Sequence, residues 1–243
     1  MDDDVPPTAS AVAASGGAPA PAPEPTRAPA PATTSGAPKR ARRTRQATVE
    51  RRAEILRAAA HTFGTKGYKT GSLAEVAEQV GITHAGVLHH FGSKDQLLVE
   101  VLEYRDKEDV RELEGQHIPG GIELFRHLVR TAAANEDRPG IVQSYSVLTG
   151  ESVTENHPAR AWVTERFTVL RGEITDAVET VVGPGVEHER AVEAASAIIG
   201  VMDGLQVQWL LDDTVHLAHA TRFAIEAILQ AVCPPGVTLP SLD

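Results

Sequence analysis

Two short helical segments, each preceded by a helix-start signal and separated by a glycine, constrain this sequence more than any other feature. The segment SLAEVAEQV opens with Ser72 and Glu75 at the spacing of a capping box, in which each side chain binds a backbone N–H at the helix start. Gly81 follows this segment and permits a sharp turn. Thr83 then supplies a second cap before HAGVLHHF. Two short capped helices joined in this way predict a helix-turn-helix whose second helix covers residues 84–91.

The flanking sequence has the periodicity of further helices. Before the pair, apolar residues recur at spacings of three and four up to Phe63, which predicts an amphipathic helix ending near Gly64 or Gly67. After the pair, Ser93 and Gln96 form another capping signal. Further helices are predicted over 122–134, 141–149, 158–182, 186–211 and 214–232. Because aromatic residues are only 4% of the chain and Ala, Leu, Val and Ile supply most of its apolar surface, we predict an all-α protein.

Charge is distributed unevenly along the chain. Residues 1–38 hold nine of the 16 prolines, which predicts a disordered tail with polyproline II character. Residues 39–95 carry 11 basic and five acidic side chains, whereas residues 96–243 carry 11 basic and 24 acidic ones. Part of this basic excess is a basic arm, residues 39–47, with Lys39, Arg40, Arg42, Arg43 and Arg45. Such an arm can enter the minor groove of DNA or act as a tether without sequence preference, and both readings stay open.

Composition excludes some kinds of disulfide and metal site and favours one cellular location. Cys233 is the single cysteine, so an internal disulfide framework and a multi-cysteine zinc site are excluded. The histidines at 84, 89 and 90 have no carboxylate or cysteine at ligand spacing, so no metal and no cofactor are predicted. No run of about 20 apolar residues and no signal peptide are found, so we expect a cytoplasmic protein with no membrane partner.

The second helix of the pair presents a small, polar outer surface. Its expected inward residues are Val87, Leu88 and Phe91. The outward residues are then His84, Ala85, Gly86, His89 and His90. Small residues near the helix start permit close approach to DNA, and imidazoles can donate to phosphates or base edges. Lys94 lies at the first turn of the following helix, where free N–H groups favour a phosphate.

At these residues the sequence resembles the TetR family of bacterial transcriptional regulators. Phe63, Gly67 and Tyr68 match a family motif F-x-x-x-G-Y. The stretch SLAEVAEQVGITHAGVLHHFGSKDQLL then follows the family pattern T-x-x-x-I-A-x-x-A-G-V-S-x-G-x-L-Y-x-H-F-x-x-K-x-x-L. Leu88 departs from the pattern, which usually has a tyrosine that touches the DNA backbone. In the C-terminal half, Asp203–Asp212 resembles a segment of BetI-like members, a less specific match.

The resemblance implies a homodimeric regulator with an N-terminal three-helix DNA-binding domain, residues 48–95, and a C-terminal helical effector-binding and dimerisation domain, residues 96–243. The candidate DNA-binding residues are Arg51, Ser72, Thr83, His84, Ala85, Gly86, His89, His90 and Lys94. The candidate effector pocket comprises Phe125, Leu128, Tyr145, Leu148, Trp162, Phe167, Met202 and Trp209. The candidate dimer interface comprises Ala195, Ile198, Ile199, Leu205, Phe223 and Ala227.

Together these features predict a sequence-specific repressor that a small-molecule effector releases from a double-stranded DNA operator. Two alternatives from other classes stay open. An architectural DNA binder with little sequence preference would need the basic arm but not a capped recognition helix. An all-α enzyme is disfavoured because the sequence has no metal-ligand carboxylate pair, nucleophile elbow or phosphate-binding glycine loop.

Overall fold

Helices account for all the regular structure of the part of the chain that can be described. The computed structural model describes residues 39–111, 113, 115 and 117–242, with side chains from residue 45, and these residues contain no strand. The predicted tail, residues 1–38, lies outside the described residues. The helices are α1 (Lys39–Thr70), α2 (Leu73–Gln79), α3 (His84–Phe91), α4 (Lys94–Val110), α5 (Gly121–Glu136), α6 (Pro139–Glu151), α7 (Arg160–Val182), α8 (His188–Leu211) and α9 (Leu217–Val232). The all-α prediction is confirmed.

The basic arm does not precede the first helix; its backbone forms the N-terminal turns of α1. Lysine, arginine, alanine and glutamine all favour helix, and nothing between residues 39 and 47 interrupts one. Of the arm's basic side chains only Arg45 is described, and it is exposed. Near its other end α1 is interrupted at Gly67, which has φ 74° and ψ 168°. This conformation is nearly restricted to glycine, so one of the two predicted ends coincides with the break.

The helix-turn-helix is fixed by its caps, as the sequence predicts. The Ser72 hydroxyl accepts a hydrogen bond from the backbone N–H of Glu75, whose carboxylate accepts one from the N–H of Ser72. Thr83 Oγ1 accepts from the N–H of Gly86 at 3.1 Å, and α3 has the predicted bounds. Gly81, between the two helices, has a positive φ of 67°.

Two clusters of buried apolar residues hold the described helices together. The first core joins α1–α4 to the C-terminal part of α6 and the start of α7, and the second core joins α5, α7, α8 and α9. Leu97, Leu98, Val101 and Leu102 of α4 belong to the first core, although the predicted domain boundary precedes them. The helix that follows the recognition helix is therefore packed as part of the DNA-binding end.

The central helix of the second core, α8, is the one described helix that is long and apolar enough to cross a membrane, with a hydropathy of 1.3. One side of α8 buries Ala191, Ala194 and Ile198 against neighbouring helices. Its other side leaves Val207 and Leu211 exposed. Length and composition alone are weak evidence for a span, because a core helix with a second apolar face has the same composition.

Candidate nucleic-acid interface and internal cavity

The N-terminal turn of α3 is the most open part of the helix-turn-helix. His84, Ala85 and His89 are exposed, while Val87 and Phe91 on the opposite side are buried in the first core. Leu88, also predicted to face inward, is half-buried and packs against that core. The structure thus places the small and polar residues of α3 together on one accessible surface.

Neither the backbone conformation nor the packing around position 86 requires a glycine there. The φ of Gly86 is not positive, and a Cβ added there would lie 3.5 Å from Ile82 Cδ1 and from Thr83 Oγ1, which is ordinary van der Waals contact. Because neither backbone strain nor internal crowding demands glycine, the small residue at this position suits close approach by a partner molecule. The carbonyl and N–H groups of the neighbouring turn would be reachable in such a contact.

The histidines on α3 differ in their surroundings. Burial lowers the pKa of His90, and the charges of His89, Arg52 and Arg51 lower it further. His90 is therefore neutral at neutral pH in the free protein, and its ring acts as a hydrogen-bonding group. The ring of His89 lies against that of His90 with centroids 5.7 Å apart.

Several of the other candidate DNA-binding residues already have partners inside the chain. Arg51 donates to the Val80 carbonyl at 3.1 Å and pairs with Glu54 at 2.8 Å. The hydroxyls of Ser72 and Thr83 are occupied as helix caps. These three residues hold α2 and α3 in place whether or not they also meet DNA.

Lys94 is held at the junction of α1 and α4. Its ammonium donates to the Lys69 carbonyl at 3.3 Å and lies 4.6 Å from the centroid of the Tyr68 ring. The Tyr68 hydroxyl in turn donates to Asp95, and burial together with this carboxylate raises the pKa of Tyr68. The sequence prediction missed Tyr68 and Lys69 as supports of Lys94, although the motif F-x-x-x-G-Y marks this turn.

Arg52 is a second supporting residue that the prediction missed. It donates to the His90 carbonyl at the end of α3 and to Glu100 of α4. Its guanidinium also stacks 4.2 Å from the centroid of the Phe91 ring. One side chain thus joins α1, α3 and α4, and the only sequence signal for it was its place on the polar side of α1.

The turn that ends α1 is bound to the far end of α6. The N–H of Tyr68 donates to Glu151 Oε2 at 2.8 Å, and a Cβ on Gly67 would lie 2.3 Å from Glu151 Oε1. His157 packs edge-on against the Tyr68 ring with centroids 5.3 Å apart. Burial lowers the pKa of His157 despite the nearby charge of Glu151. This junction links the DNA-binding end to the helices that surround the second core.

A cavity of about 490 Å³ lies between α4, α5, α7 and α8. This volume is within the range of about 300–1,000 Å³ found for small-molecule sites. Of the eight residues predicted for an effector pocket, Leu128, Trp162 and Met202 line the cavity. Phe125 and Leu148 are fully buried core residues instead. Tyr145, Phe167 and Trp209 are absent from the lining as well.

Nine of the 19 lining residues that the prediction missed are charged. Arg105, which is 7% exposed, pairs with Asp106 and with Asp109, each at 3.0 Å. Arg138, which lies between α5 and α6, pairs with Asp109. Arg166 of α7 pairs with Asp106 at 2.9 Å. Burial acts to lower the pKa of Arg105, but the charges of its carboxylate partners outweigh it and raise that pKa.

Asp203 completes this charged side of the cavity, and Tyr145 supports it from outside the lining. Arg166 donates to the Tyr145 hydroxyl at 3.1 Å. Burial raises the pKa of Asp203, and the charges of Arg166 and Arg105 partly oppose that shift. Pairs such as Asp106 and Arg166 are 60 residues apart, so no local sequence pattern indicates them.

The residues predicted for a dimer interface fall into two groups. Ala195 and Ile198 are buried inside this chain, at 0% and 1% exposure, and cannot meet a second chain. Ile199 lines the cavity. Phe223 is 74% exposed and Ala227 is exposed beside it, while Leu205 is half-buried. The apolar surface left accessible therefore lies on the outer sides of α8 and α9.

Comparison with known proteins agrees with this geometry. The profile of the family described as "Bacterial regulatory proteins, tetR family" matches residues 55–101, from α1 into α4. The HTH-type transcriptional repressor AcnR of Corynebacterium jeikeium (strain K411) is 38% identical over 83 residues, which are 34% of this chain and 42% of AcnR. The HTH-type transcriptional regulator AcrR of Shigella flexneri is 26% identical over 208 residues, covering 80% of this chain and 95% of AcrR. Residues 55–101 therefore match the tetR-family profile, and the chain is similar to tetR-type regulators over most of its length.

The fold outside the profile match is also that of TetR-family proteins. SmeT, the repressor of the Stenotrophomonas maltophilia multidrug efflux pump SmeDEF, superposes with a TM-score of 0.61 at 18% identity. The superposition covers 78% of this chain and 93% of SmeT. The relatives named above are transcriptional regulators.

Proposed function

We propose that this chain is a cytoplasmic, dimeric repressor of the TetR family. It binds operator DNA through the N-terminal turn of α3, and it leaves the operator when a small molecule occupies the cavity. The observation that carries the proposal is the open turn at His84–Gly86, which is capped and buried on one side and unobstructed on the other.

Dimerisation is supported by the apolar surface on α8 and α9. Leu211 is 84% exposed and Phe223 is 74% exposed, with Val201 and Val207 also accessible on α8. Exposed large apolar side chains on neighbouring helices are typical of a subunit interface, and a two-fold axis through these helices would form a four-helix contact. The two recognition helices would then enter successive major grooves about 34 Å apart on a near-palindromic operator.

Release by an effector is supported by the position of α4. Its N-terminal half packs in the first core beneath α3, and residues from Glu103 onward line the cavity. A helix of 17 residues is about 25 Å long, so one rigid element reaches from the DNA-binding end to the cavity. A ligand that binds more tightly when α4 takes a different position would move the two α3 helices of the dimer out of register with the grooves. The difference between the ligand's affinities for the two positions limits how far this equilibrium can shift. SmeT has also been solved as a complex with triclosan, a small molecule.

Fluorescence anisotropy of the purified chain tests this proposal. The upstream region of its own gene is compared with a scrambled fragment of equal length across a series of salt concentrations. Because base contacts depend less on salt than phosphate contacts do, we expect the upstream fragment to bind more tightly and to keep its advantage as salt rises.

Equal affinity for both fragments, lost together as salt rises, would contradict a sequence-specific regulator of this region. That result would favour an architectural binder that acts through charge alone.

A further inference from the structure

The charges around the cavity favour one class of ligand. The lining includes three strongly basic side chains, Arg105, Lys107 and Arg166. Each is already paired: Arg105 with Asp109, Lys107 with Glu103 at 3.1 Å, and Arg166 with Asp106. An anionic ligand would therefore find none of these three cations without a carboxylate partner.

Two carboxylates on α7 differ from these paired cations. Glu165 and Glu173 line the cavity, and neither forms a hydrogen bond or an ion pair with another described residue. They are eight residues apart on one helix, which corresponds to about 12 Å along its axis. Val169, which is 49% exposed, lies between them, so the strip offers negative charge at both ends and apolar surface in the middle.

The deeper part of the lining contains a polar atom without a partner. Gln206 of α8 is 5% exposed, and its Oε1 atom accepts no hydrogen bond from the chain. A buried amide oxygen is rarely left without a donor, because the missing hydrogen bond costs free energy. Gln206 lines the cavity, and its Oε1 atom is closed off in the free protein, so the amide must turn toward the cavity before a bound molecule with an N–H or O–H group supplies that donor.

A further part of the lining is apolar. The side chains of Leu128, Leu170, Ile174, Ile199 and Met202 enclose the space between α5, α7 and α8. Such a surface favours a hydrocarbon or aromatic body and excludes a small, strongly hydrated cation such as a metal ion.

We propose that the cavity binds an apolar amine, a ligand whose N–H group donates to Gln206 and whose positive charge faces Glu165 and Glu173 while its hydrocarbon body fills the apolar space. This inference rests on the proposed function, because it names the chemical class of the effector of that repressor. Burial raises the pKa of Glu173, and the charge of His117, which also lines the cavity, partly opposes that shift.

Isothermal titration calorimetry with three compounds of one shape tests the assignment. Phenylbutylamine, phenylbutanol and phenylbutyrate share the same apolar body and differ in a cationic, neutral or anionic end. At neutral pH we expect the amine to bind most tightly and the acid most weakly, with about a fivefold step for a charge contact at a partly exposed site.

Charge-removing variants locate the effect. In Glu165→Gln/Glu173→Gln the affinity for the amine should fall to that for the alcohol, while the affinity for the alcohol stays the same. Neither side chain has a partner to lose, so the double variant should fold normally. Glu155→Gln is the matched control, because Glu155 is exposed and does not line the cavity. In Gln206→Leu, the amine and the alcohol should weaken together because both use an N–H or O–H donor.

The assignment is overturned if the acid binds as tightly as the amine, if the double variant binds the amine unchanged, or if the amine shows no binding at millimolar concentration. DNA affinity measured without any compound separates this outcome from the proposed function. A chain that prefers its upstream fragment but does not prefer the amine refutes only the ligand class. A chain that prefers the amine but no DNA fragment refutes only the repressor.

Discussion

The two ends of the molecule satisfy their buried polar groups differently. Among the described side chains from residue 45 to residue 104, every buried polar atom has a hydrogen-bond partner, and the cavity reaches this part only at Glu103. Beyond it, Arg105 Nε and Gln206 Oε1, which belong to residues that line the cavity, are buried without one. A close-packed region in which every buried polar atom is hydrogen-bonded has one stable arrangement. Around a cavity, a donor or acceptor without a partner can form its hydrogen bond in more than one way. We therefore expect the DNA-binding end to keep one conformation and the cavity end to change conformation when a ligand binds.

Arg105 shows this difference most clearly, because its side chain pairs with both Asp106 and Asp109 on the charged side of the cavity. Replacing it in Arg105→Met keeps the length and the apolar contacts but leaves Asp109 and Asp106 with one cation each. Because each carboxylate keeps its other cation, the loss is that of hydrogen bonds between charged groups, about 1.5–3 kcal/mol. We expect a loss of that size in the free energy of unfolding measured with urea.

Arg111→Met is the control for this experiment. Arg111 pairs with Glu108 at 3.0 Å, but its side chain is 63% exposed. An exposed pair contributes only about 0–1 kcal/mol, so the control should be close to the parent chain. Equal losses in the two variants would show that the charged side of the cavity has no special importance for stability.

The junction between the two ends should be the next most sensitive position. In Gly67→Ala, the new methyl group would overlap Glu151 at a backbone conformation that only glycine adopts readily. We expect a loss of about 2 kcal/mol in urea unfolding from the strained backbone.

Gly140→Ala provides the matched control. A Cβ at Gly140 meets nothing within 4 Å, and its φ is not positive. If both alanine variants unfold at the same urea concentration, the contact between Glu151 and the α1 turn does not constrain the junction.

Within the DNA-binding end, the caps contribute individually smaller amounts. Ser72→Ala removes the acceptor for the Glu75 N–H and should cost about 1 kcal/mol in the free energy of unfolding. Ser72→Thr keeps a hydroxyl at the same place and should recover most of that loss. A Thr variant no better than the Ala variant would indicate that packing, and not the cap, explains the effect.

Acid should weaken the junction through His157. Its pKa is lowered in the fold, chiefly by burial, so the unfolded chain takes up the proton first. Stability from this group is complete above the unfolded pKa of about 6.5 and falls as pH drops below it toward the folded pKa. Urea unfolding from about pH 7.5 to about pH 5.5 should therefore show a larger loss for the parent chain than for His157→Gln. A difference between the two proteins that stays constant with pH would contradict the assignment.

The same contrast explains what the sequence could predict. The caps at Ser72 and Thr83 and the bounds of α3 depend on residues three or four positions apart, so they could be predicted correctly. The cavity depends on which sides of α5, α7 and α8 face each other. Phe125 has the same helical spacing as Leu128, yet it fills the core while Leu128 lines the cavity.

The charged side of the cavity and the available dimer surface were beyond prediction for the same reason. The contact between Asp106 and Arg166 forms only after distant helices pack. Likewise, Ile198 and Phe223 both have apolar helical spacing, but the fold buries the first and exposes the second. The early start of α1 was not predicted because a run of lysine and arginine is compatible with both an extended arm and a helix.

The smallest expected change in stability comes with the most direct test of the account, the variant Gly86→Ala. An added methyl group has room inside the chain, and alanine favours helix, so the free energy of unfolding should stay the same or rise by about 0.5–1 kcal/mol. If the α3 turn approaches base edges closely, anisotropy should show affinity for the upstream fragment falling by about tenfold while affinity for the scrambled fragment is unchanged. A variant that keeps the full preference for the upstream fragment would show that this turn does not read the operator.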